Sequence, residues 1–74
     1  MKTLAIFGST GSIGTQTLEV LRAFPYDFQL LGITGLKNEK LLAEQAGEFS
    51  VPGHKGLEQR DELIAAADII VNAL

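Results

Sequence analysis

The sequence predicts an α/β fold, a truncated parallel sheet of order 3-2-1-4 with flanking helices. Three observations carry that expectation. Short apolar runs alternate with amphipathic stretches along the whole chain. The first apolar run ends in a glycine-rich turn that opens directly onto a helical stretch. The length, 74 residues with 46% hydrophobic and 20% charged positions, accommodates one small domain and no more. A chain of this size buries only about 60% of its unfolded surface, so its core is expected to be marginal.

The first strand is read at Thr3 to Phe7 (TLAIF), a nearly continuous apolar run suited to burial on both faces. A helix follows from Ser12 to Ala23, with Ile13, Thr17, Val20, Leu21 and Phe24 expected inward, Glu19 and Arg22 on the wetter side, and Pro25 ending it. Phe28 to Ile33 reads as the second strand, with a turn through Gly35. Asn38 is placed to cap a second helix reaching Phe49, with Leu41, Leu42, Ala46 and Phe49 as its apolar stripe. The third strand is the weakest signal: Ser50 to Pro52 looks extended, and Gly53 to Gly56 reads as a loop. Leu57 to Ala67 forms a third helix with Leu57, Leu63, Ile64 and Ala67 inward, and Asp68 to Leu74 (DIIVNAL) a fourth strand. Because the chain stops directly after that apolar strand, a truncated domain with an uncovered edge is expected, and with it self-association as a homodimer or higher oligomer.

The charge balance narrows the partners. Six Lys+Arg against nine Asp+Glu give a formal charge of −3, against the basic face that nucleic acid requires. Without cysteine there is no disulfide framework and no thiolate metal site, which suits a reducing cytoplasm. No apolar run approaches the roughly 20 residues of a membrane span, and the N-terminus does not read as a secretory leader.

The informative stretch is Gly8-Ser9-Thr10-Gly11-Ser12-Ile13-Gly14, at the first strand-to-helix junction. In a parallel α/β sheet that junction receives the pyrophosphate of a dinucleotide. Gly8 permits the tight turn, Gly11 lets the backbone approach the phosphates, and Gly14 lets the helix pack closely. Thr10 and Ser12 offer hydroxyls, and the amides of Ser12 and Ile13 open the helix at its positive end. A glycine pattern alone is weak evidence, and a ligand-free turn is the bland alternative. The matching strand and helix on either side favour the ligand. At the end of the second strand, about 20 residues on, NAD-binding domains place an acid for the ribose hydroxyls. Here Gly35-Leu36-Lys37-Asn38 precedes the first acid, Glu39. A cation in that corner suits a 2′-phosphate, so NADPH is favoured over NADH; the alternatives are a merely solvated Lys37 and an Asn38 that only caps. His54, the single histidine, is read as a surface residue with no second metal ligand spaced to join it. Glu58, Asp61 and Glu62 read as a solvated helix face.

MKTLAIFGSTGSIGTQTLEVLR, then Lys37-Asn38, then DIIVNAL strongly resemble the N-terminus of the 1-deoxy-D-xylulose 5-phosphate reductoisomerase family. The resemblance is most specific over residues 4 to 22 and weakest over 50 to 60, and it departs at Leu36, where the family often has glycine. It implies the NADPH-binding portion of an oxidoreductase and isomerase. Such an enzyme converts that sugar phosphate to 2-C-methyl-D-erythritol 4-phosphate in non-mevalonate isoprenoid synthesis, with Mg or Mn as divalent metal. Thr10, Gly11, Ser12 and Ile13 match its pyrophosphate loop, and Lys37 and Asn38 its 2′-phosphate corner. Catalytic, metal and substrate residues fall outside this chain, so it is expected to be inactive alone. A non-catalytic nucleotide-binding module and a plain α/β scaffold fragment remain as alternatives.

Overall fold

The computed structural model describes residues 1–56 and 58–74. Seven elements follow in the order β1 (Lys2–Phe7), α1 (Ser12–Ala23), β2 (Phe28–Gly35), α2 (Glu39–Phe49), β3 (Gly53–Lys55), α3 (Arg60–Ala66) and β4 (Ile69–Asn72). The strands form one sheet of order β3-β2-β1-β4, all pairs parallel. Side chains alternate across a strand, and in β1 both sets are buried. Leu4 and Ile6 join Leu18 and Leu21 of α1, Leu42 of α2, and Leu30 and Ile33 of β2 in the main core. Ala5 and Phe7 point the other way and pack on Leu63 of α3. Covering both faces explains why β1 is apolar without alternation.

Chain direction and strand order together make β1–β4 the point where successive crossovers part to opposite sides. Its lower end is fixed by polar bonds. The backbone N–H and hydroxyl of Thr3 both donate to Asp68 Oδ2 at 3.0 Å, and the Asp68 amide donates back to the Thr3 carbonyl, also at 3.0 Å. Its upper end is fixed by Ala73 N donating to Phe7 O at 2.8 Å.

Several elements differ from the sequence reading. The third strand lies at Gly53–Lys55, in the stretch expected to be a loop, and His54 is half-buried within it rather than a loop surface residue. Ser50 adopts a left-handed conformation (φ 55°, ψ 46°) that ends α2, and Val51 N closes the turn onto Ala46 O at 3.0 Å. Ser50 and Val51 are thus spent on stopping a helix, while Pro52 O already accepts from Ile33 N of β2 at 3.2 Å. The second strand runs on through Gly35, and β4 is trimmed to four residues. In α1 the buried residues are Gly14, Leu18 and Leu21, whereas Ile13, Val20 and Phe24 are exposed. In α3 Leu63 is inward and Ile64 is exposed; the expected start at Leu57 lies outside the described residues. Among those residues, no helix is long and apolar enough to cross a membrane.

Candidate functional site

The glycine loop crosses the carboxyl end of β1 and is pinned from below. The amides of Gly8 and Ser9 both donate to Thr34 O at 2.9 Å, and Gly8 N also reaches Thr34 Oγ1 at 3.3 Å. Gly8 has φ +86°, a left-handed conformation that side chains disfavour. A Cβ on it would also lie 2.9 Å from Ala73 O. Gly14 is required for a different reason, close approach: a Cβ there would press on Gly8 O and lie 2.5 Å from Ser9 Cα. The first turn of α1 therefore rests directly on the loop backbone.

Gly11 is unlike both. A Cβ there meets nothing nearer than Gly8 O at 3.7 Å, an ordinary contact. The protein itself leaves that space open, directly before the helix. Gly11 is also the residue preceding the first turn and has no side chain to cap it, so the amides of Ser12, Ile13 and Gly14 find no acceptor among the described residues. The first helical bond is Thr15 N to Gly11 O at 2.9 Å. No acidic residue lies in that first turn. Open amides, the positive end of the helix dipole and the absence of a local carboxylate together favour an anion.

A cleft of about 390 Å³ opens here, within the range of small-molecule sites. Gly8, Thr10 and Gly11 form its floor, Leu36 and Lys37 one side, and Ala73 and Leu74 the other. Two further cavities, about 450 and 270 Å³, lie away from the loop. The cleft brings together the loop and Lys37, which is 26 residues after Gly11 in sequence, across the carboxyl ends of β1, β2 and β4. Gly35 is buried beneath Thr10, where a Cβ would sit 3.4 Å from the threonine side chain. Asn38 caps α2, its Oδ1 accepting from Leu41 N at 3.1 Å, which leaves its side-chain N–H groups free to donate. Ser12 and Lys37 are exposed. The side chain of Ile13 faces solvent, so its amide is what it offers the site.

Two features escaped the sequence reading. Glu39, the acid nearest the Lys37 corner, is paired with Lys55 of β3 at 2.5 Å. The hydrogen bond from Lys55 holds the Glu39 carboxyl below the usual range. The acid beside the corner is thereby offset by a cation that no sequence spacing connects to it. The other feature is Gln45, buried in the middle of α2 and bonded to Ser9 of the loop.

The family model for 1-deoxy-D-xylulose 5-phosphate reductoisomerase matches residues 4–62. The chain belongs to that family. It is 53% identical over 49 residues to the reductoisomerase of Caldanaerobacter subterraneus subsp. tengcongensis, covering 66% of this chain and 13% of that one. With the reductoisomerase of Rippkaea orientalis it shares 40% identity over 72 residues, 97% of this chain and 18% of the relative. A crystal structure of DOX-P reductoisomerase with fosmidomycin and magnesium superposes with a TM-score of 0.72 at 30% identity, over 97% of this chain and 20% of that one. A crystal structure of DOX-P reductoisomerase in complex with NADPH, fosmidomycin and magnesium gives 0.66 at 33% identity, over 99% and 20%. This chain thus spans between about an eighth and a fifth of the length of these reductoisomerases.

Proposed function

We propose that residues 1–74 form the N-terminal part of the NADPH-binding domain of a cytoplasmic reductoisomerase. That enzyme converts 1-deoxy-D-xylulose 5-phosphate to 2-C-methyl-D-erythritol 4-phosphate. The observation that carries the reading is the row of unbonded amides at Ser12, Ile13 and Gly14, without a carboxylate in the turn, directly after Gly11, which lines the cleft. A pyrophosphate fits that row because its oxygens accept from backbone N–H groups, and the open space over Gly11 is where it would approach. Gly8 shapes the turn, Thr10 and Ser12 add hydroxyl donors, and Lys37 with the Asn38 amide receives the 2′-phosphate above Gly35. NADPH supplies hydride when bound. The residues of this chain hold and orient it and carry no catalytic group.

A divalent metal belongs to the same proposal for the whole enzyme. The described residues hold no group of three or more His, Cys, Asp or Glu that could bind one, so they do not fit a metal site and none is assigned to them.

Cofactor choice tests the proposal. In the intact reductoisomerase subunit carrying these residues, NADPH should bind more tightly than NADH. Lys37→Ala should weaken NADPH about tenfold and leave NADH nearly unchanged, since a charge-assisted contact at an exposed corner is partly screened. Equal weakening of both cofactors would remove Lys37 as the 2′-phosphate reader. Absence of NADPH binding by the unmutated protein would overturn the proposal.

A further inference from the structure

Glutamine is ordinarily a surface residue, yet Gln45 is only 4% exposed, and Ser9 not at all. Burying an amide is costly unless its polar atoms find partners. Both of these do, on a single residue of the glycine loop. Ser9 Oγ donates to Gln45 Oε1 at 2.8 Å, and Gln45 Nε2 donates to the Ser9 carbonyl at 3.0 Å. No buried side-chain nitrogen or oxygen among the described residues lacks a partner.

The placement of this pair gives it a consequence for the ligand. Ser9 sits between Gly8 and Thr10, inside the loop proposed to hold the pyrophosphate. Gln45 lies two turns along α2 from Asn38, about 10 Å at the helical rise. The helix that begins at the Lys37–Asn38 corner is therefore bolted to the loop by two reciprocal hydrogen bonds. Among the described residues no other side-chain hydrogen bond joins the loop to α2; Thr10 only lies over Gly35, where a Cβ would sit 3.4 Å from its side chain. The backbone bonds to Thr34 fix the loop to β2, not to α2.

We infer that Gln45 is a positioning residue for dinucleotide binding: through Ser9 it sets the spacing between the pyrophosphate loop and the 2′-phosphate corner, touching the ligand at neither end. This rests on the NADPH reading above. A ligand held at both ends gains from a spacing that is set in advance. A fragment held at one end gains nothing from it.

That asymmetry separates positioning from mere structural support. NADPH and adenosine 2′-monophosphate would each be titrated against the intact subunit, unmutated and with Gln45→Leu. Losing two buried hydrogen bonds at a two-point site should weaken NADPH about tenfold and the one-point fragment by less than about twofold. Ser9→Ala keeps the Nε2–carbonyl bond and is the milder variant; it should show the same selectivity at about threefold, and it decides the matter if Gln45→Leu fails to fold. The double variant should bind NADPH no worse than Gln45→Leu alone, because both changes break the same link. Equal losses for NADPH and the fragment, or no loss for either, would overturn the inference while leaving the NADPH reading in place. Failure of the unmutated protein to bind NADPH would instead overturn that reading, and this inference with it.

Discussion

Gly11, before the first turn of α1, and Gly14, within that turn, should fail in opposite ways when a methyl group is added. At Gly14 the Cβ would press on Gly8 O and lie 2.5 and 2.8 Å from two backbone atoms of Ser9. Backbone cannot swing aside as a side chain can, so the cost sits near the upper end of overpacking, about 3 kcal/mol. Gly→Ala within a helix returns up to about 1 kcal/mol. The net destabilisation is about 2 kcal/mol, and at 4–8 °C per kcal/mol for a small domain it lowers Tm by about 8–16 °C. At Gly11 the nearest atom is 3.7 Å away. Gly11→Ala should therefore lower Tm less, by about 1–8 °C, since capping with Ala rather than Gly costs a few tenths of a kcal/mol to about 1. It should nonetheless weaken NADPH at least tenfold, because the methyl occupies the space a phosphate would use. Thermal unfolding and cofactor titration on the two variants check both halves. A Gly14→Ala protein that melts with the unmutated one refutes the close-approach argument. A Gly11→Ala protein that binds NADPH normally takes that glycine out of the site.

Two further outcomes are open to direct measurement. The Asp68 carboxyl is held below its usual range, chiefly by the Thr3 backbone N–H and then by its hydroxyl. Its folded value lies under its unfolded one, so its stabilising effect is present above the unfolded value and drains as pH falls through the folded one. Asp68→Asn should shrink the drop in urea midpoint between neutral pH and about pH 3; an unchanged drop would assign the acid sensitivity elsewhere. The 74-residue chain by itself should self-associate, because β4 pairs with β1 on one side and with no strand on the other among the described residues, while Ile69, Ile70 and Val71 stay half-buried. Sedimentation velocity showing a monomer across the accessible concentration range would contradict that.

What could be read from the sequence was what is decided locally. The apolar run before Gly8 and the glycines of the loop announce a strand, a turn and a helix within 14 residues of one another, and the structure keeps them in that order. The third strand was not legible. Whether Ser50 to Pro52 extends or stops a helix depends on Ser50 adopting a left-handed turn that lets Val51 bond back to Ala46, and nothing in Ser-Val-Pro alone says so. The inward face of α1 was legible only in part for a related reason: Leu21 is buried as expected, but Ile13, Val20 and Phe24 are not. Scoring large apolar residues favours the stripe Ile13, Val20 and Phe24. The contact that sets the helix's rotation is made by the smallest residue present, Gly14, seated on the Ser9 backbone. With Gly14 inward, Leu18 and Leu21 follow at one and two turns, and the larger stripe turns to solvent.

Gln45 illustrates the same principle from the polar side, and here a signal existed. It stands three residues after Leu42, directly before Ala46 and four before Phe49, within the apolar stripe of α2. A polar residue at such a position must either break the stripe or bring a partner for each of its polar atoms. The partner is Ser9, 36 residues away, and no pattern of spacing would have named it. What spacing does establish is the demand: a glutamine on a buried stripe requires a donor and an acceptor nearby. The elements able to meet it are those the sheet order brings against α2. Since β1 lies beside β2 in that order, the loop leaving β1 is among the few that qualify. A buried polar residue on an otherwise apolar helix face is thus a pointer to the loop it must satisfy, and in this fold that loop is the one proposed to hold the cofactor.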